Sequence, residues 1–128
     1  MKDLIQKAIE ARDMAYVPYS KFPVGAAVET EDGSIFTGCN IENASYGLTI
    51  CGERTAIFKS VSEGQHVIKR LVLSTNTEEF CYPCGACRQV MAEWGDFEVY
   101  LINKKGEINK TSVYELLPHA FVNKSMEK

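Results

Sequence analysis

The stretch "IKRLVLSTN", residues 68–76, decides the fold because it carries apolar side chains at consecutive positions. Side chains of a strand point alternately to the two faces of a sheet, so Leu71, Val72 and Leu73 put apolar groups on both faces. A strand that is apolar on both faces is typical of a sheet covered on both sides. The sequence therefore predicts an α/β domain built around this strand.

The segments before this strand show first a helical and then a strand-like pattern. Apolar residues of the segment 3–15 recur at helical spacing, which predicts a first helix. Residues 25–40 alternate around an Asp-Gly pair, which predicts a β-hairpin. Residues 51–64 predict a second helix that a glycine ends.

After this strand, predicted helices and strands continue to follow one another along the chain. Residues 84–95 predict a helix that is closed by a glycine, and residues 97–103 and 107–111 predict two strands. A short last helix begins at Ser112, with Glu115 at the capping-box position. The order α-β-β-α-β-α-β-β-α predicts one sheet covered by helices.

Composition excludes several classes of protein. A chain of 128 residues is one domain by length, which we expect to span 1–128. Its net charge is −3 and its basic residues are scattered, so we expect no nucleic-acid partner. No apolar run approaches the roughly 20 residues that a membrane span needs, and the charged N-terminus lacks an apolar signal core. We therefore expect a soluble, cytoplasmic protein with no membrane partner.

Five cysteines are the most informative residues of the chain. In a reducing compartment, metal binding or catalysis explains them better than disulfides do, and an odd count fits a disulfide framework poorly. They are Cys39, Cys51, Cys81, Cys84 and Cys87.

Three of these cysteines have the spacing of a metal site. Cys84 and Cys87 stand three residues apart at the start of one predicted helix, and Cys51 starts the preceding one. If the two helices begin side by side, three thiolates converge, and the positive helix ends stabilise them. Zinc fits this ligand set, and three protein ligands leave a fourth position open, as in catalytic sites.

The other two cysteines leave alternatives open. Cys81 and Cys39 are interpreted as small buried apolar residues, although either would be needed as fourth ligand of a purely structural zinc site. An iron–sulfur module is a further alternative, but the bacterial ferredoxin run needs a cysteine at position 91, where the chain has Met91.

Four sequence blocks resemble the cytidine deaminase family in its small homotetrameric form with three cysteine ligands. The blocks are "YSKFPVGAA" (19–27), "GCNIENASYGLTICGERTA" (38–56), "PCGACRQVM" (83–91) and "ELLPHAF" (115–121). The resemblance implies a three-layer α/β/α single domain with a mixed five-stranded sheet. It also implies a homotetramer whose active sites combine residues of different subunits.

The resemblance also implies a role for each site residue. One Zn²⁺ per chain would be bound by the three cysteines of the two helix starts, with Glu53 as proton shuttle. Phe22 would stack on or flank the base, while Asn40 and Glu42 would contact the sugar. The remaining implied contacts are those of Ala44 and Tyr46 at the ribose end, of the Gly52 backbone N–H, and of Phe121 from a neighbouring subunit. Each substrate residue also has a structural alternative, as turn, surface charge or core.

The implied reaction is hydrolytic deamination of cytidine and deoxycytidine to uridine and deoxyuridine, with release of ammonia, in pyrimidine salvage. Zinc lowers the pKa of a bound water, and Glu53 can take that proton, pass it to N3 and help protonate the leaving amine. Three thiolates make the site negative, so we expect Arg54 to hydrogen-bond the sulfurs and withdraw charge from them.

A related deaminase of the blasticidin S type shares the zinc motifs and stays an alternative; Phe22, Asn40 and Glu42 together favour a nucleoside. The sequence departs from the family pattern at Tyr82, where a small hydroxyl residue is usual. The bulky side chain of Tyr82 is therefore expected to point away from the site.

Overall fold

The computed structural model describes residues 1–123. Its helices and strands alternate in the predicted order, with one additional short 3₁₀ helix. The elements are α1 (Lys2–Arg12), β1 (Val24–Thr30), β2 (Ile35–Cys39), the 3₁₀ helix (Tyr46–Leu48), α2 (Gly52–Ser62), β3 (Ile68–Thr75), α3 (Gly85–Ala92), β4 (Glu98–Ile102), β5 (Ile108–Ser112) and α4 (Val113–Leu116).

The five strands form one mixed sheet in the order β2-β1-β3-β4-β5. Strands β3 and β4 pair in parallel, and the other neighbours pair antiparallel. The strand with consecutive apolar residues, β3, is therefore the central strand, as those residues predict.

Alternate residues of β3 supply two separate cores. Leu71 and Leu73 pack in the core that includes Ile57 of α2 and Met91 of α3. Val72 points to the opposite face and packs in the core that contains residues of α1. The structure thus has three layers, with α1 on one face and α2 and α3 on the other, and the predicted fold class is confirmed.

Two glycines in the first hairpin allow the helices to lie close to the sheet. A Cβ on Gly38 would overlap the backbone nitrogen of Ala56 in α2. A Cβ on Gly25 would overlap the backbone of α1 at Ala8 and Arg12. Because one glycine faces each helix layer, both helices are held directly against the hairpin.

The helix predicted for residues 3–15 ends earlier, at Arg12. The chain turns there because Tyr16 forms an isolated parallel bridge with Ile41. The Tyr16 amide donates to the Asn40 carbonyl at 3.0 Å, and the Glu42 amide donates to the Tyr16 carbonyl at 2.9 Å. Extended pairing at Tyr16 is incompatible with a continuing helix.

The predicted cap of α4 is present, but only one half of the capping box forms. The Ser112 hydroxyl accepts a hydrogen bond from the Glu115 amide at 3.2 Å. The Glu115 carboxylate instead accepts from the Thr111 hydroxyl at 3.4 Å.

None of the helices within residues 1–123 has the length and apolarity to cross a membrane. The expected domain span of 1–128 includes residues 124–128, which lie outside the described part of the chain.

We expect Gly38→Ala to lower the free energy of unfolding by about 2–3 kcal/mol, because the added methyl group meets helix backbone that cannot move aside. Denaturant unfolding measures this change. Gly47→Ala is the matched control, since a Cβ there would meet nothing within 4 Å. Equal stability of the two variants would contradict the close packing of α2 on β2.

Candidate active site

The site is built where α2 and α3 begin. Cys51 is the residue that caps the N-terminus of α2, and Cys84 has the same position on α3. Both have extended backbone, and Pro83 restrains the residue before it to extended conformations as well. Cys87 lies in the first turn of α3 and is fully buried. Two helix N-termini therefore direct partial positive charge toward three thiol groups.

The three sulfur atoms form a compact triangle. The Sγ atoms of Cys51 and Cys84 are 3.8 Å apart, those of Cys84 and Cys87 are 3.4 Å apart, and all three lie within 4.8 Å of one another. A disulfide needs about 2.05 Å, so the cysteines are free thiols. Tetrahedral zinc with Zn–S bonds of about 2.3 Å places its sulfurs about 3.8 Å apart. The donor set therefore fits a zinc ion.

Hydrogen bonds within the triangle shift the pKa values of Cys51 and Cys87 in opposite directions. The hydrogen bond from Cys87, followed by that from Arg54, lowers the pKa of Cys51 to about 5. The pKa of Cys87 is raised, because its proton is shared with Cys51 and because the side chain is buried. The Cys51 thiol thus loses its proton easily and the Cys87 thiol does not, so ionisation of both requires a cation beside the sulfurs.

Arg54 supplies one positive charge to this cluster. Its Nη2 donates to the Cys51 sulfur at 3.3 Å, and this bond is the main reason that the guanidinium pKa is raised. Its Nε is buried and has no hydrogen-bond partner in the described structure. The predicted contact between Arg54 and a cysteine sulfur is thus present in the structure.

Glu53 lies beside the triangle, in the first turn of α2, and only 4% of its surface is exposed. Burial is the main cause that raises the pKa of its carboxyl, and the negative charge of Cys51 adds to the effect. A carboxyl whose pKa is raised toward neutrality can both accept and donate a proton, as a general acid–base catalyst must.

A cavity of about 220 Å³ opens onto these groups. Its volume lies below the range of about 300–1,000 Å³ that is usual for ligand pockets, so it admits a small ring rather than an extended molecule. The lining residues are Phe22, Val24, Asn40, Thr49, Cys51, Gly52, Glu53, Leu73, Thr75, Cys81, Tyr82 and Cys84. Among them, Val24, Thr49, Leu73 and Thr75 were not predicted, although Thr75 ends a strand and strand ends are where ligands bind in such sheets.

A second cavity of about 370 Å³ adjoins the first, and the two share Thr49. It is lined by Tyr19, Ser20, Glu42 and Tyr46 in addition. Glu42 accepts hydrogen bonds from the amides of Tyr19 and Ser20 at 3.0 and 3.1 Å. The hydrogen bonds of Ser20 are the main cause that lowers the Glu42 pKa, so this carboxylate stays charged.

Asn40 is 9% exposed and fixes the chain that enters β1. Its Oδ1 accepts from the Val24 amide at 2.9 Å, and its Nδ2 donates to the Phe22 carbonyl at 2.8 Å. These two bonds leave one N–H and one oxygen lone pair of the amide for a further partner. Asn40 therefore holds Phe22 in place while it lines the same cavity.

Two of the predicted substrate residues line neither cavity, and a third, Tyr46, lines only the second one. Ala44 is exposed and lines neither cavity. Tyr46 is 73% exposed and packs edge-on against Tyr19, with ring centroids 5.7 Å apart. Phe121 is 63% exposed and lies outside both cavities.

Tyr82 lines the small cavity, and that its bulk points away from the site stays a prediction. Its hydroxyl accepts a hydrogen bond from Asn109 Nδ2 on β5 at 2.9 Å, so the ring is directed toward that strand. Cys81 lines the cavity but is not a member of the sulfur triangle, and its sulfur instead accepts from the Thr77 hydroxyl at 3.7 Å.

Fold and site together define a class of protein. A Cys-x-x-Cys pair after a proline, an upstream cysteine and a non-ligand glutamate two residues beyond it form the arrangement of the zinc deaminases. Residues 1–103 match the family described as "Cytidine and deoxycytidylate deaminase zinc-binding region". The chain belongs to this family.

Known proteins resemble the chain over nearly its whole length. A cytidine deaminase of Sporosarcina psychrophila is 55% identical over 123 residues, which cover 94% of this chain and 90% of that protein. The crystal structure of cytidine deaminase from Burkholderia pseudomallei matches with a TM-score of 0.90 at 48% identity, covering 94% and 98% of the two chains. A blasticidin-S deaminase of Bacillus cereus is 31% identical over 124 residues, covering 91% and 88%.

Proposed function

We propose that this protein is a zinc-dependent enzyme that hydrolyses cytidine and deoxycytidine to uridine and deoxyuridine and releases ammonia. The observation that carries the proposal is the triangle of three free thiols beside a buried glutamate, at the end of a small cavity. The similarity to cytidine deaminases over most of the chain supports the substrate and the place of the reaction in pyrimidine salvage.

Cys51, Cys84 and Cys87 would hold one zinc ion per chain. Their sulfur spacing suits tetrahedral zinc, and a three-residue ligand set leaves one position for water or substrate. When bound, zinc supplies a water of lowered pKa and a Lewis acid at the reacting carbon.

Glu53 moves the protons of the reaction. It takes a proton from the attacking water and delivers it to N3 of the base; it then takes the proton of the hydroxyl group added at C4 and delivers it to the amine, which leaves as ammonia. Its raised pKa supports this role, because the same carboxyl must hold the proton between two transfers. Its position two residues after Cys51 keeps it beside the sulfur triangle throughout.

Arg54 moderates the charge of the ligand set. Three thiolates and a divalent cation sum to one negative charge, which opposes the loss of a proton from water. The hydrogen bond from Arg54 Nη2 withdraws charge from the Cys51 sulfur. We therefore assign Arg54 to tuning the metal rather than to contacting the substrate.

The two adjoining cavities suit the two parts of a nucleoside. Phe22, which is 37% exposed, offers an aromatic face to the base, and the Gly52 backbone N–H and the Asn40 amide offer polar contacts. Glu42, in the second cavity, offers acceptor oxygens to sugar hydroxyls. Blasticidin S is a second candidate substrate, because a deaminase named for it is 31% identical.

We further propose a homotetramer with composite sites, formed by chains that each act as one domain over residues 1–128. Tyr46 and Phe121 are large, exposed and outside the small cavity, so we infer that they contact another subunit. Ala44 would serve the ribose end, and Phe121 of one subunit would cover the base in another. Five free thiols support a reducing, cytoplasmic location.

The first test measures zinc and ammonia together. We expect about one zinc per chain, and ammonia release from cytidine well above release from blasticidin S. Cys51→Ala, Cys84→Ala and Cys87→Ala should each lose both zinc and activity, because two thiolates hold the ion poorly. Cys81→Ala is the matched control and should keep both. Loss of zinc in Cys81→Ala would mean a closed structural site instead.

The second test separates proton transfer from metal binding. Glu53→Gln preserves the size of the side chain but cannot carry a proton, so turnover should fall at least about 100-fold. Zinc content, measured on the same sample, should equal that of the unchanged protein. Turnover near the original value would remove Glu53 from the mechanism.

The third test concerns the composite site. Glu53→Gln chains and Phe121→Ala chains should each be nearly inactive and still tetrameric. When they are mixed and reassembled, some sites combine an intact Glu53 with an intact Phe121, and part of the activity should return. Fully active monomers in sedimentation experiments would refute the shared site.

A further inference from the structure

The segment of residues 76–83, which we call the site loop, has neither helical nor strand structure. It connects the end of β3 to Cys84 and carries Cys81 and Tyr82, which line the small cavity. Since no helix or sheet ladder fixes its backbone, its position depends on the contacts that other elements make with it.

The turn between β4 and β5 holds the first half of the site loop. The Lys104 amide donates to the Thr77 carbonyl at 2.7 Å, and Asn103 Nδ2 donates to the Glu78 carbonyl at 2.9 Å. Asn103 is 3% exposed, and the same side chain also closes the turn. Its Oδ1 accepts from the amides of Lys105 and Glu107 at 3.1 and 2.8 Å.

Strand β5 and helix α3 hold the second half. Asn109 Nδ2 donates to the Tyr82 hydroxyl at 2.9 Å, and Arg88 Nε donates to the Pro83 carbonyl at 2.8 Å. The residue that follows Pro83 is Cys84. A displacement of the site loop therefore moves one corner of the sulfur triangle, whereas Cys51 stays on α2.

We propose that Asn103 and Asn109 are positioning residues for the metal centre: through the site loop, the β4–β5 hairpin sets where Cys84 stands relative to the other two sulfurs. The inference rests on the proposed zinc site. Neither asparagine lines the small cavity, so each acts through the loop rather than on the substrate.

The chemistry of an amide explains why an asparagine is needed at 103. The side chain must accept two amide hydrogens in the turn and donate to the loop and to Glu107 Oε1, which lies 2.7 Å away. An aspartate has the same shape and keeps the acceptor, but it has no N–H for Glu78. It also places a carboxylate against Glu107, and Glu107→Gln removes that repulsion by providing a donor.

The experiment measures how fast zinc leaves the protein when a chromogenic chelator is added in excess. We expect the double variant Asn103→Asp/Glu107→Gln to release zinc about tenfold faster than Glu107→Gln alone, as for residues that orient metal ligands. Asp32→Ala is the control for general loss of stability. It disrupts the turn of the β1–β2 hairpin, where Asp32 accepts from the Ser34 amide and the Thr30 hydroxyl.

Asp32→Ala should release zinc within about twofold of the unchanged protein, since its turn does not contact the site loop. Equal release from the double variant and Glu107→Gln would overturn the proposal, as would equally fast release from Asp32→Ala.

If the double variant does not fold, Tyr82→Phe decides the question, because it removes one hydroxyl from an exposed ring. We expect about threefold faster zinc release, the equivalent of one hydrogen bond, and no further increase when Asn109→Ala is added. Release at the unchanged rate would overturn the role of this pair. If the unchanged protein binds no zinc, the proposed function itself is refuted. If it binds zinc but the variants release the ion at the unchanged rate, only the positioning role is refuted.

Discussion

The structure depends on one constraint: two helices must begin within a few ångströms of each other, because their first residues carry the sulfur triangle. The distances between sulfurs, 3.4 and 3.8 Å, leave little freedom in how α2 and α3 approach. Because Gly38 has no Cβ, the backbone of α2 can lie directly against β2, which fixes the position of this helix. Met91 of α3 packs in the same core as Leu71 of β3, so both helices take their positions from one sheet.

Because the two helices begin side by side, several groups that can carry negative charge lie close together at a poorly solvated position. Three thiols and the Glu53 carboxyl lie close together. Burial raises the pKa of Glu53, and the hydrogen bond with Cys51 together with burial raises the pKa of Cys87, which opposes their ionisation beside Cys51. Helix N-termini and Arg54 offset part of this charge, and a divalent cation would offset most of the rest. The residues that concentrate ionisable groups here are thus the residues that favour the binding of a cation.

Local patterns in the sequence predicted the fold and the three cysteines, because strand alternation, helix caps and a Cys-x-x-Cys pair each occupy a short window. The early end of α1 was missed, since it depends on pairing between Tyr16 and Ile41, which are distant in sequence. The same reason explains why Thr49 and Leu73 were not predicted to line the cavity. In the proposed homotetramer Tyr46 and Phe121 would contact another copy of the chain, and no short sequence window encodes such a contact.

The C-terminal third of the chain has a consequence for synthesis. Arg88 donates to the carbonyls of both Pro83 and Leu116, and Gln89 donates to the carbonyl of Phe121 at 2.6 Å. The residues just after the last cysteine are therefore tied to a segment that the ribosome makes roughly thirty residues later. All three cysteines are synthesised before these supports of α3. These bonds can therefore fix α3, and with it the positions of Cys84 and Cys87, only after residues 116–121 have been synthesised.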